Sequence, residues 1–80
     1  MTFTEAISIR IKELLKSNNM NINKLAIHAG INESTIRSIL NKSTNCPKAS
    51  TIYYICIGFG ISISEFYNSK LFDESNIIDN

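Results

Sequence analysis

Residues 23–40 read NKLAIHAGINESTIRSIL. The spacing predicts two short helices joined through Ala29, Gly30 and Ile31. Leu25 and Ala26 fall on the inner side of the first. Gly30 suits a left-handed or tight turn, because it has no Cβ to clash there. Ile31 would plug the angle between the two helices. The second should open at Asn32, whose side chain is of the type that accepts from the free amides of a first turn. At about 100° per residue, Ile36, Ile39 and Leu40 gather on one side, with Thr35 at its margin. Glu33, Ser34, Arg37, Ser38 and Asn41 gather on the other. The apolar side needs a core. The polar side is a short row of donors and acceptors, the equipment with which a helix reads base edges in a major groove.

Further helices flank this pair. Thr2 with Glu5 has the form of a capping box, in which each end of a four-residue step satisfies the other's amide. A helix should follow to about Ser17, with Ile7, Ile11, Leu14 and Leu15 as its buried stripe and Ser8, Lys12 and Lys16 on its wet side. Ser17, Asn18 and Asn19 should end it, since their side chains compete for backbone hydrogen bonds. Asn21 is the expected cap of the helix over 22–29. The helix opened at Asn32 should run over 33–41. After a polar loop, Pro47 marks the approach to a fourth helix over 49–59, with Ile52, Ile55, Cys56 and Phe59 inward. Gly58 and Gly60 bracket its end. Ser62 and Glu65 form a second capping box and start a fifth helix, in which Phe66 should bury. The expected architecture is all-α, with a first unit over 1–72 and an acidic tail over 73–80 that should fray. Ile77 and Ile78 in that tail could still dock on a partner.

Eighty residues make one small domain, able to bury roughly 60–65% of its unfolded surface. The net charge is +1, weak for a nucleic-acid binder, but its distribution is uneven. Residues 1–50 carry seven cations against three carboxylates, and residues 51–80 carry one against four. Such a split fits one face on phosphates and another away from them, as well as a plain scatter of solvated charge. The longest apolar run, residues 52–61, is half of the ~20 residues a membrane span needs. No signal sequence opens the chain, and the two cysteines lack metal-ligand spacing, which together suggest a reduced, cytoplasmic setting. His28 is the sole histidine and should lie exposed in mid-helix, so histidine-paired nucleophiles and metal clusters lack material. Without a glycine-rich phosphate loop either, no enzyme chemistry, cofactor or small-molecule substrate is expected.

Leu25-Ala26, Gly30-Ile31, Ser34-Thr35-Ile36 and Ile39 stand at a spacing that resembles the phage-repressor/Cro-type (XRE) helix-turn-helix family. The likeness extends through Asn41, Lys42, Pro47, Thr51, Ile52, Ile55, Gly60-Ile61-Ser62 and Glu65-Phe66, from about Ile9 to Phe66. It implies a five-helix, lambda-repressor-like domain whose second and third helices form the helix-turn-helix. It implies that Asn32, Glu33, Ser34 and Ser38, with Arg37 beside them, meet base edges of double-stranded DNA. Glu33 is ambiguous: it could accept from a cytosine amino group, repel phosphates, or simply favour the positive end of its helix. The resemblance places phosphate contacts at Asn21, Ile22, Asn23, Lys24, Asn41, Lys42, Ser43 and Thr44, and a minor-groove contact at Lys48. Two positions depart from the family. Many relatives have glutamine in place of Ile22. Many also pair a base on helix 1 with an acid on helix 3, where this chain has Leu15 and Leu40, an apolar replacement for an ion pair that is often no loss.

Tyr53, Tyr54, Ile57, Tyr67, Leu71 and Phe72 exceed the needs of one small core. They are either ordinary half-buried residues or a two-fold dimer surface, which would set two reading helices about 34 Å apart and require a palindromic site. The leading expectation is therefore a sequence-specific regulator, a repressor of phage or mobile-element type, bound to its operator as a homodimer. The alternative on the same fold is a protein-interaction module, an antitoxin or adaptor with a protein partner and little DNA binding. Low charge, Ile22 and Glu33 favour it.

Overall fold

The computed structural model describes residues 1–41 and 46–78. Five α-helices follow in order: α1 (Phe3–Ser17), α2 (Ile22–Ala29), α3 (Glu33–Leu40), α4 (Ala49–Phe59) and α5 (Ile63–Tyr67). Two 3-10 turns, Lys70–Phe72 and Glu74–Asn76, complete the described residues. The capping chemistry read from the sequence sets most of these boundaries. Thr2 and Ser62 each form a complete capping box with Glu5 and Glu65. Asn21 Oδ1 accepts from the Lys24 amide at 2.8 Å. At the end of α1, Asn18 Nδ2 donates to the Leu14 carbonyl at 2.8 Å, and Asn19 turns the chain with a left-handed φ of 52°. Gly30 caps α2 with φ 70°, and its amide donates to Ala26 O at 2.9 Å.

Two sequence expectations need correction here. Asn32 sits at the N-cap of α3 but its side chain makes no capping hydrogen bond. The turn instead closes through backbone, Thr35 N–H to Asn32 O at 3.1 Å. Ser8, expected on the wet side of α1, is fully buried, and its Oγ donates to the Leu40 carbonyl at 3.3 Å. That carbonyl ends α3, and a buried hydroxyl satisfies it.

One core holds all five helices. Ile7, Ile11 and Leu14 of α1 meet Leu25 and Ala26 of α2, Ile36, Ile39 and Leu40 of α3, Ile52, Ile55, Cys56 and Phe59 of α4, and Phe66 of α5. α2 packs chiefly on α4, and α3 on α1 and α2. The α2–α4 approach is close at Gly58. A Cβ there would stand 2.8 Å from Leu25 Cδ1, 3.0 Å from Ala29 Cβ and 3.2 Å from the Ala29 amide nitrogen. The site below therefore rests on a tight joint, since α2 and α3 share the turn at Gly30.

The end of the chain also departs from expectation. Residues 73–78 fold back on the body of the chain. The Ile78 amide donates to Met1 O at 2.7 Å, and the Asn76 side-chain amide to Lys70 O at 2.6 Å. Beneath this clasp Phe3, Phe66, Tyr67 and Phe72 form an aromatic cluster, with ring centroids 4.8 Å apart for Tyr67–Phe72 and 5.8 Å for Phe3–Phe72. Offset and edge contacts of this kind add to the area they bury. Asp79 and Asn80 lie outside the described residues, as do Lys42, Ser43 and Thr44 of the loop after α3.

Candidate nucleic-acid interface

The outward edge of α3 is built by its inward edge. Ile36, Ile39 and Leu40 are buried, which fixes the rotation of the helix and turns Asn32, Ser34 and Arg37 to solvent. Glu33 and Ser38 are half-buried beside them. All five base-reading candidates thus lie along one ridge, over a little more than one helical turn and a half.

The ridge has internal bonding that sequence reading did not foresee. Arg37 Nη2 lies 2.5 Å from Glu33 Oε1, one turn along the helix. Asn23 Nδ2, on α2, lies 3.5 Å from Glu33 Oε2. Hydrogen bonds from Arg37 and then Asn23 hold the Glu33 carboxyl below its usual value. The acid is therefore ionised at neutral pH and its charge is matched by a neighbour. The i,i+4 order of an acid and an arginine is itself a sequence signal. The Asn23 bridge is not, because it depends on how α2 and α3 cross.

The phosphate candidates flank this ridge. Asn23 and Lys24 are exposed in the first turn of α2, with Asn21 at its cap. The Asn21 carbonyl oxygen is engaged by the Lys24 amide, so its donor capacity lies in Nδ2. Asn41 is exposed at the end of α3, and Lys48 is exposed at the N-cap of α4. Of the expected set, Lys42, Ser43 and Thr44 fall outside the described residues. Ile22, where many relatives carry glutamine, is half-buried against the core and serves packing instead.

Arg10 stands apart from these cations. Its Nε donates to Phe66 O at 2.7 Å and its Nη2 to Glu65 O at 2.8 Å. It ties α1 to the end of α5 and is not a loose charge for phosphate.

The candidate dimer residues separate into two groups. Tyr53, Tyr54 and Ile57 project from α4, at 51%, 46% and 49% exposure. Ile63 at the start of α5, which periodicity did not single out, is 46% exposed. Tyr67 and Phe72 instead pack on Phe3 and Phe66 within the chain, and Leu71 is half-buried. Burial raises the Tyr67 phenol above its ordinary value, so it stays neutral.

Among the described residues no group of three or more His, Cys, Asp or Glu side chains could hold a metal ion. His28 is exposed on α2, Cys46 is exposed and Cys56 is buried. Among the described residues no helix is long and apolar enough to cross a membrane.

Comparison with known proteins agrees with this geometry. A family model described as a helix-turn-helix domain matches residues 9–71. No curated protein matches. Among solved structures, the wild-type restriction-modification controller protein C.Esp1396I superposes with a TM-score of 0.76, covering 84% of this chain and 86% of that one, at 22% identity. At that identity the likeness speaks to the fold.

Proposed function

This chain belongs to the helix-turn-helix domain family and is an XRE-like DNA-binding regulator of transcription, and from that premise we propose that it is a repressor that occupies a palindromic operator as a homodimer. The carrying observation is the α3 ridge of Asn32, Glu33, Ser34, Arg37 and Ser38, turned outward by three buried aliphatic residues. In this reading the ridge enters the major groove. Asn21, Asn23, Lys24 and Asn41 hold the backbone on either side, with the amides of the α2 N-terminus also aimed at phosphate. Lys42, Ser43 and Thr44 extend that contact, and Lys48 adds salt-dependent affinity from the minor groove. Repression follows from occupancy: a bound dimer excludes polymerase. No catalytic step and no cofactor enter, and the setting is the cytoplasm.

A size argument supports the dimer. An eight-residue helix is about 12 Å long and spans a handful of base pairs. One copy carries a single α3 on a body about 33 Å long, so it offers one reader where two successive grooves lie about 34 Å apart. Tyr53, Tyr54, Ile57 and Ile63 supply an apolar surface for the second copy, with Tyr67, Leu71 and Phe72 toward its rim. The same exposed surface favours the second reading, a protein-interaction module.

Selection of bound duplexes from a random library, at low and then near-physiological salt, tests the proposal. An enriched inverted repeat with half-sites about one turn apart is the expected result. Binding that vanishes on a modest rise in salt, with no enriched sequence, would mean charge attraction alone and would favour a protein partner. Replacing Arg37, Lys42 and Lys48 together should abolish operator binding yet spare any such partner.

A further inference from the structure

Glu33 is the one acid on the reading ridge, and two donors from two helices meet it. Arg37 approaches Oε1 at 2.5 Å and Asn23 approaches Oε2 at 3.5 Å. An acid free to accept from a cytosine amino group would have its oxygens directed away from the protein. Here each oxygen already has a donor from the protein within 3.5 Å. Arg37 behaves in the opposite way. Its side chain is 57% exposed although one nitrogen is bonded. A guanidinium has five N–H donors in a planar fork, so Nη1, Nε and the second Nη2 hydrogen remain to form an edge of paired donors. That edge matches guanine O6 and N7, the commonest specific contact in a major groove. A long side chain ordinarily loses considerable rotamer freedom when it docks. A carboxylate that already holds it removes part of that loss.

Resting on the operator-binding reading above, we propose that Glu33 is a positioning residue which reads no base itself, and that, anchored to α2 by Asn23, it aims the Arg37 fork at a guanine in each operator half-site. Specificity at that base pair belongs to Arg37, and Glu33 governs how sharply it is expressed. The charge balance agrees: the pair is close to neutral, so the acid does not repel neighbouring phosphates.

The test measures affinity of the full chain for the site the wild type selects and for every single-base variant of it. The proteins are wild type, Arg37→Ala, Arg37→Lys, Glu33→Ala, Glu33→Gln, Asn23→Ala and the Glu33→Ala/Arg37→Ala double variant. Arg37→Ala should flatten a guanine preference of roughly tenfold or more at one base pair. Arg37→Lys should flatten it as well, because a point charge lacks the fork. Glu33→Ala should weaken preference at that same base pair and at no other, Asn23→Ala more mildly, and the double variant should be no worse than Arg37→Ala. Glu33→Gln, which keeps an acceptor for Arg37, should retain a reduced guanine preference. The proposal is overturned if Glu33→Ala relaxes a different base pair, if the two losses add, or if Glu33→Gln moves a preference toward adenine, as a direct base contact would. It is also overturned, alone, if the wild type selects a site and Glu33→Ala reads it unchanged. A wild type that enriches no sequence removes the operator reading and this inference together.

Discussion

Arg10 shows how a residue's part in the molecule can differ from its charge. Counted along the chain it belongs to the basic half. In the structure it donates to the carbonyls of Glu65 and Phe66, which close α5. Hydrogen bonds involving a charged group contribute about 1.5–3 kcal/mol, so Arg10→Ala should cost roughly 2 kcal/mol. For a domain of this size that corresponds to a fall in thermal midpoint of about 10 °C. The salt dependence of DNA binding should not move; a reduced slope would mean that Arg10 meets phosphate after all. The cysteines give a second prediction at this scale. Burial raises the Cys56 thiol above its ordinary value, while Cys46 is exposed. Iodoacetamide should alkylate Cys46 in the native protein and reach Cys56 only on unfolding, with the sites assigned by peptide mass. Single side chains were legible where a local pattern decides them, as for Phe66 and Ile55. Ser8 and Asn32 were not. A serine beside a buried stripe turns inward only when an acceptor waits there, and for Ser8 that acceptor is the Leu40 carbonyl, 32 residues away. A capping residue type places the start of α3 correctly without dictating that its side chain does the capping.

The helices were legible because their ends are chemical events within four residues: Thr2 with Glu5, Asn21 with Lys24, Ser62 with Glu65. Their packing was less so. Gly58 reads in the sequence as one of two glycines near a helix end, yet it is a point of close approach between α4 and α2. Leu25 is fully buried and Ala29 offers rigid backbone, so neither can yield to a larger residue. Gly58→Val should therefore destabilise by about 2–3 kcal/mol through overpacking. Since α2 carries Asn23 and Lys24, the folded fraction should also lose DNA affinity beyond what its stability explains. Denaturant unfolding and binding measured on the same preparation would separate the two, and a variant as stable as wild type would contradict the close approach. The last described residues escaped sequence reading for the opposite reason. Their order comes from Met1 and Phe3, at the far end of the chain, and an acidic composition carries no trace of such partners.

For the molecule as a whole, the sequence conveyed the family and the outward ridge of α3, because the helix-turn-helix is contiguous. It did not convey which spare aromatic residues face out. Tyr67 and Phe72 turn into the cluster around Phe66, and Tyr53, Tyr54, Ile57 and Ile63 remain. If these join two copies, a Tyr53→Glu/Ile57→Glu variant should keep its helical content and sediment as a monomer. Affinity for a full inverted repeat should drop by a hundredfold or so, toward that for a half-site, since linkage of two sites multiplies affinity. A variant that still sediments as the wild type does would move the interface elsewhere. The internal bonding of the arginines carries a kinetic consequence as well. With Arg10 facing its own backbone and Arg37 facing Glu33, the grip on a random stretch of duplex falls to lysines such as Lys24 and Lys48, in a chain of net charge +1. Dwell times on unrelated sequence should be short. The search for a target would then proceed by brief encounters through solution more than by long sliding tracks, and the decoy sites of a whole genome would sequester little of a small pool of protein.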